Sequence, residues 1–413
     1  MKIRSITYFD SIKWPIDDRQ IADAGSFIMN ARNAYQDKGF NVQTTRFASS
    51  PFPLILGADS IAETVNFAVG FEKQLLASGF DYGSIGPALP DFTQSYQVIP
   101  QVLTSTQNIF AAGIISSPES GIVPNAIEQC AAVIIENSNI SPDGFGNLRF
   151  AALANVPAGS PFFPAAYLEE DKEPGFAIAT ESADIPVAVF SNADNLETAR
   201  ADLISQIERT AQELEMIGQK LASRSSIKFY GIDFSFAPFP TVEQSIGTAI
   251  EKLGVPGIGR QGSLAAVALL AEALDQADFL KVGFNGVMLP VLEDVTLAGS
   301  VIEDSLTLND LLLYSAVCGT GLDTIPLPGS SSEEQLFAVL LDLAALAQRL
   351  GKPLTARLMP IPGMEDGEAT QYDFEFFVNS KVMKLSAQPL TGLLKEKIGF
   401  RIQTRKSTNL SKQ

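Results

Sequence analysis

The chain has 413 residues, 46% of them hydrophobic, and its 47 acidic against 29 basic residues give a formal net charge of -18. That length permits a large buried core, and the acidic excess disfavours phosphate backbones and anionic lipid surfaces, so neither nucleic acid nor a membrane is expected as a partner. Histidine is absent and only Cys130 and Cys318 are present, which excludes Ser-His-Asp and Cys-His nucleophiles, His-ligated zinc and any disulfide framework.

From the N-terminus, Lys2–Phe9 alternates apolar and polar residues and reads as a first strand, followed by an amphipathic helix from about Asp18 to Gln36 and a second strand over Asn41–Ser49. Ser60-Ile-Ala-Glu63 has the spacing of a capping box, opening a helix that stops at Gly79. Tyr82–Ala88 is short and Gly-rich, and Ile109–Ile115 is an apolar strand. Ile122–Asn137 is apolar enough for a buried helix, with Cys130 a small core residue. Two strands, Phe150–Asn155 and Gly175–Glu181, flank a Pro- and Gly-rich loop, and Asn195–Ser223 is the longest helical pattern.

Lys228 to Pro240 then alternates, with Tyr230, Ile232, Phe234 and Phe236 on one strand face and Asp233 and Ser235 on the other. Thr241 and Gln244 have capping-box spacing for a helix to Leu253, and a second helix runs from Ser263 to about Asp278. Phe279–Val291 contains a Gly-interrupted strand, Thr307–Val317 a helix broken at Cys318-Gly-Thr-Gly321, and Leu322–Leu327 a strand. Helix Ser332–Leu350 and strand Leu354–Pro360 follow, and Phe374–Val378 with Lys381–Leu385 suggests a terminal hairpin. Residues 401–413 are basic, lack acids and are expected to form a disordered tail, leaving 1–400 as a single α/β domain with a mainly parallel sheet.

With these segments in place, the chain resembles the domain-of-unknown-function-711 family of prokaryotic proteins nearly end to end. The resemblance is carried by Asp233-x-Ser235-x-Ala237-Pro238-x-Pro240, Gly321-Leu322-Asp323, Ile3-Arg4, Arg46 with Pro51, Glu293-Asp294, and Arg357 with Pro360. That family is similar to the pyruvate formate-lyase-type barrels. The resemblance therefore implies a closed ten-stranded α/β barrel built from two parallel half-sheets around a central loop, with helices outside. It brings no established activity. Where a typical member has Gly-Thr-His-Gly this chain has Gly259-Arg260-Gln261-Gly262, a family cysteine is replaced by Phe110, and the glycyl-radical signature of the radical enzymes is missing.

The candidate site is a small-molecule pocket at the barrel interior. Asp233 and Ser235 lie at the carboxyl end of a strand, the usual ligand position in α/β proteins. A buried carboxylate needs a partner, and Arg46 and Arg357 on other strands are the expected ones, either as structural ion pairs or as clamps for a small anionic ligand. Asp323 is a second acid, and carboxylate-driven proton-transfer or lyase-type chemistry suits the residue supply. Gly259, Arg260, Gly262 and Ser263 form a glycine-containing loop before a helix, a candidate anion site. Glu293 and Asp294, with Asn285 upstream, offer oxygen ligands to Mg²⁺ or Ca²⁺. Cys318, at a helix C-terminus, is disfavoured as a thiolate. The sequence names no cofactor and leaves enzyme and non-catalytic ligand sensor or scaffold both open, as it does a homodimer. A cytoplasmic location is expected from the scarce cysteines and the absence of a leader-like segment.

Overall fold

The computed structural model describes residues 1–405. Its strands are β1 (Lys2–Phe9), β2 (Val42–Ala48), β3 (Tyr82–Ala88), β4 (Ile109–Ser117), β5 (Gly121–Ile122), β6 (Phe150–Ala154), β7 (Gly175–Glu181), β8 (Lys228–Asp233), β9 (Gly321–Pro328) and β10 (Leu354–Ile361). They form one ten-stranded mixed sheet in the order β8-β7-β1-β2-β3-β4-β6-β10-β9, with β5 paired to β4. β1, β2, β3, β4 and β6 are mutually parallel. β7 with β8, and β10 with β9, form parallel pairs that meet this block antiparallel, at β1 and β6.

The ladder is not closed by its own hydrogen bonds. Between the edge strands β8 and β9 lies the segment 279–291, whose backbone pairs with 232–236 and with Asp323 through the isolated bridges Ile232–Lys281, Phe236–Val287 and Pro290–Asp323 and not through a continuous ladder. The Gly-interrupted strand read there from sequence is thus not a ladder strand. Gly283 and Gly286 crowd against Asp233 and Cys318, leaving no room for side chains, and Asn285 has a φ of 46° that interrupts extended backbone.

One face of the sheet carries the helices. Phe47 on β2, Ile6 and Tyr8 on β1, and Leu354, Ala356 and Leu358 on β10 join a single apolar core with helical residues such as Ile21, Phe67, Ile134, Leu203 and Leu340. The other face is covered by the segment 156–168, where Phe163, Ala166 and Leu168 pack with Phe9, Ala48 and Ala177. Thr7 donates to the Pro161 carbonyl (2.9 Å), Ser84 to that of Ala166 (2.7 Å), and Leu168 N–H to that of Ser49 (3.0 Å). These bonds satisfy a buried loop whose backbone would otherwise lack partners.

Many elements fall where the periodicity sets them. The helices Asp18–Gln36 and Leu196–Ala222 begin at the side-chain caps Asp17 and Asn195, and Glu333–Leu350 opens on a reciprocal capping box of Ser332 with Gln335. Other start signals are bypassed. Ser60 sits inside the 3₁₀ turn Ala58–Glu63, with the α-helix beginning at Thr64. Thr241 precedes a 3₁₀ turn, and Ser245, not Thr241, caps Ile246–Lys252. The terminal hairpin does not form: 374–385 is irregular, with one bridge between Ala369 and Lys381. Of the expected tail, Thr404 and Arg405 bond to Gln348 and Arg349, so 401–405 follows the surface, and 406–413 lie outside the described residues. Among the described residues no helix is long and apolar enough to cross a membrane.

Candidate functional site

Strand alternation puts Thr44 and Arg46 of β2, and Thr355, Arg357 and Met359 of β10, on the face away from the helices. Two irregularities add charged residues to that face. Arg4 is the extra residue of a bulge in β1, where Ile3 pairs with Thr180 and Ser5 with the next residue, Ala179. The second lies in β9, where Leu322 and Ile325 oppose Ala356 and Leu358, so that one residue of the pair Asp323–Thr324 is unmatched. Thr324 there has a φ of 42°, which a β-branched residue adopts only under constraint. Bulges re-aim side chains, and these two aim Arg4 and Asp323 at a common cavity.

The cavity has a volume of about 110 Å³ and is lined by residues from β1, β2, β3, β4, β6, β9 and β10 together with Phe284, Met288, Pro290 and Glu293. At roughly 30 Å³ of liquid volume per water it has the space of about four waters. One wall is polar: Arg4, Thr44, Arg46, Glu293, Asp323 and Arg357. The other is apolar, with Phe110, Phe162, Phe163 and Met288, and Phe374 and Phe376 come over it from the irregular C-terminal region.

Glu293 is the hub of the polar wall. Its Oε1 accepts from Arg357 Nη2 at 2.9 Å and its Oε2 from Arg4 Nη2. Arg357 Nε also donates to Asp323 Oδ1 at 2.6 Å, and Arg4 Nη1 pairs with Glu181 at 3.2 Å. Burial by itself would raise the Glu293 pKa, but Arg4 and Arg357 outweigh it and hold the carboxyl below its usual range. Asp323 goes the other way: burial raises it more than Arg357 lowers it, and the Glu293 charge adds to the rise. Two neighbouring carboxylates are thereby driven apart in acidity, the pattern that separates a fixed charge from a proton carrier.

Arg46 differs from its neighbours. It is 8% exposed, its Nε donates to Thr44 Oγ1 at 2.9 Å, and no carboxylate of the described residues lies within ion-pair distance of it. Its guanidinium carbon sits 5.1 Å from the Phe163 ring centre and 5.9 Å from that of Tyr82. Burial, then the positive charge of Arg4, lowers its pKa to about 9. Nη1 and Nη2 make no hydrogen bond to a described residue, which leaves two charged donors directed at the cavity.

Asp233 and Ser235 do not join this group, and the expected pairing of Asp233 with Arg46 and Arg357 is absent. Both side chains are fully buried against residues 283–286. Asp233 accepts from the N–H groups of Phe284 (2.7 Å), Asn285 (3.0 Å) and Ser235 (3.2 Å) and from the Ser235 hydroxyl (2.6 Å), while Ser235 Oγ accepts from Gly286 N–H at 3.0 Å. Neutral backbone donors take the place of a cation. Burial still raises the Asp233 pKa to about 6, because it outweighs those bonds. The strand face also differs at Tyr230: a bulge after Phe176–Phe229 turns its ring toward Phe9, away from the core that holds Ile232, Phe234 and Phe236.

The remaining candidates lie elsewhere. Arg260 is exposed, and none of Gly259, Arg260, Gly262 and Ser263 lines the cavity. Gly262, with a φ of 103°, is the residue that caps Ser263–Gln276, and the Ser263 hydroxyl turns back to accept from Gly259 N–H at 3.1 Å. Asp294 diverges from Glu293: its carboxylate accepts from the N–H groups of Thr296 and Leu297 (both 3.0 Å) and of Ile246 (2.6 Å), joining the starts of two helices. Those bonds occupy the oxygens offered to a metal, and no group of three or more ligating side chains converges among the described residues. Cys130 and Cys318 are buried free thiols.

Arg4 and the two phenylalanines over the cavity were not among the sequence candidates. In the alternating strand Lys2–Phe9, Arg4 read as one more polar position beside Lys2, Ser5 and Thr7, and the available signal for it was its place in the Ile3-Arg4 match. The aromatic run at 374–377 had the alternation of a strand, which masked its covering role.

A model of the family described as Uncharacterised ACR (DUF711) matches residues 1–379. The chain belongs to this family. Similar proteins include a UPF0210 protein of Pyrobaculum aerophilum, 30% identical over 80% of this chain and 76% of its own length. Another, from Lactobacillus delbrueckii subsp. bulgaricus, is 26% identical over 86% of this chain and 82% of its own, and one from Clostridium botulinum is 26% identical over 88% and 84%. These alignments span most of both chains, and the family match includes every residue of the arginine–carboxylate wall.

Proposed function

We propose that this protein binds a small anionic molecule in the cavity between β1, β2, β9 and β10, with Arg46 as the anion donor and Asp323 able to give or take a proton. The observation that carries the reading is Arg46 itself: a guanidinium nine-tenths buried, with two donor groups and no carboxylate partner among the described residues. Taking a charge out of water without a counter-ion is costly, and a ligand carboxylate or phosphate supplies the missing partner with bidentate geometry. The supporting arrangement is the sheet curled around this cavity, with 279–291 set in the gap between its edges, as in a pyruvate formate-lyase-like barrel. Lining residues drawn from strands as far apart in the ladder as β1 and β9 support that curl. The two free thiols suit a reducing cytoplasm.

If the site is catalytic, Glu293 stays ionised between Arg4 and Arg357 and fixes their donors, while Asp323 exchanges a proton with the bound molecule. A ligand sensor without chemistry uses the same cavity and the same Arg46 contact. Thermal shift with acetate, oxalate and inorganic phosphate is the direct test. Stabilisation of the wild type that disappears in Arg46→Met is expected, and an equal response of both proteins would remove the reading. Turnover is separated from sensing by following acetate, the one of the three anions with C–H protons, by NMR for loss of its methyl signal in ²H₂O.

A further inference from the structure

Most hydrogen-bonding valences of the polar wall are filled by the protein itself. Arg4 uses Nη1 on Glu181 and the Pro238 carbonyl and Nη2 on Glu293. Arg357 uses Nε on Asp323, Nη2 on Glu293 and Nη1 on the Leu148 carbonyl. Both oxygens of Glu293 are taken by those arginines. The three threonine hydroxyls on the lining, Thr44, Thr320 and Thr355, spend their protons on the carbonyls of Arg4, Val287 and Thr320, so they can accept from a ligand and cannot donate to it.

Single N–H hydrogens stay unspent on Arg4 (Nε and Nη2) and on Arg357 (Nη1 and Nη2), but two charged groups keep whole terminal atoms without a hydrogen-bond partner among the described residues: Arg46, with Nη1 and Nη2, and Asp323, with Oδ2. One offers donors to an anion, and the other accepts a proton donor. A ligand that fills both carries a carboxylate and a donor group on one small skeleton. The charge balance chooses the donor. Arg4, Arg46 and Arg357 face Glu293 and Asp323, which leaves one positive charge on the lining. A monoanion cancels it, whereas a zwitterion brings its ammonium beside three guanidiniums and leaves the excess in place. The apolar part of the lining, with Phe110, Phe162, Phe163 and Met288, accepts a short apolar substituent, and the space of about 110 Å³ restricts the skeleton to a few atoms.

We infer that the ligand is a short-chain hydroxy-carboxylate whose carboxylate binds Arg46 and whose hydroxyl donates to Asp323 Oδ2, with its apolar end against the phenylalanine wall. This assignment rests on the anion-binding reading above and adds the donor group to it.

The test uses three near-isosteric probes on the wild-type protein by isothermal titration calorimetry: lactate, propionate, which lacks the hydroxyl, and alanine, which replaces it with an ammonium. Lactate should bind at least about tenfold more tightly than either, since a buried acceptor left unpaired penalises the analogue that cannot donate. In Asp323→Leu, checked for folding by circular dichroism, lactate and propionate should converge to within about threefold of one another. The wild-type series stands alone if that variant does not fold. Equal binding of lactate and propionate, lost together in Arg46→Met, would overturn the hydroxyl assignment and leave the anion site standing. Tighter binding of alanine would overturn it in favour of an amino acid. No binding of any probe would overturn both readings.

Discussion

Arg46 and Glu293 are both buried charges, yet opposite outcomes are expected on neutralising them. Glu293 holds two guanidiniums, so Glu293→Gln leaves Arg4 and Arg357 short of a counter-charge. Breaking a buried pair from one side costs about 3–5 kcal/mol, and urea unfolding of the variant should show a loss of that size. Arg46 has no such partner, and Arg46→Met should raise stability by roughly 1–4 kcal/mol, as hydrophobic replacement of buried charge commonly does. The sign with pH follows from its lowered pKa of about 9. Above that value the folded protein releases the proton while the unfolded arginine keeps it, so the unfolded state binds more protons and wild-type stability rises from pH 9 upward. The Met variant should lack that rise. Anion binding needs the protonated guanidinium, so affinity should fall about tenfold per pH unit above 9, a slope readable by calorimetry in the wild type.

The segment 279–291 is placed by a different set of forces. Asp233 and Ser235 take the N–H groups of Phe284, Asn285 and Gly286, which anchors this connection in the gap between β8 and β9 without a ladder. Gly283 has a φ of 78°, and a Cβ there would stand 2.2 Å from Asp233 Oδ2. Gly283→Ala should therefore destabilise by more than about 1 kcal/mol, through backbone strain and loss of that anchor. Asp233 has a folded pKa raised to about 6, so between the ordinary aspartate value and 6 the folded state binds more protons. Its contribution is greatest at low pH and is lost as pH rises through 6. Asp233→Asn should flatten stability between pH 4 and 6, measured by urea unfolding across that range. These elements also mark how far the sequence could be read. Period and caps located the strands of Arg46 and Arg357 and most helices, because those signals are local. The bulges at Arg4, at Asp323–Thr324 and at Tyr230 left no local signal, since each exists only through its register with a distant strand. Asp233 was expected to be buried, and it is, but its partners are backbone groups some fifty residues away, and backbone donors have no sequence signature.

The whole chain sets a further contrast, between an arginine-bearing cavity and a body with a formal net charge of -18. The field outside a strongly acidic protein repels a small anion on approach, while the field inside the cavity attracts it. Salt acts unequally on these two contributions. The Debye length falls from about 30 Å at 0.01 M to about 8 Å at 0.15 M, which screens the surface charges. Arg46 is 8% exposed and sits between Phe163 and Tyr82, where screening is much weaker. Association of the anion should therefore quicken with ionic strength, opposite to the slowing seen where surface charge steers a ligand in. Dissociation, governed by contacts inside the cavity, should change little. Stopped-flow mixing with lactate, in a bulky sulfonate buffer whose anion exceeds the cavity's volume of about 110 Å³, separates the two rates. A severalfold rise in the association rate between 0.01 and 0.15 M is the expected result. A fall over the same range would mean that the entrance is locally positive, with the acidic excess gathered on other faces.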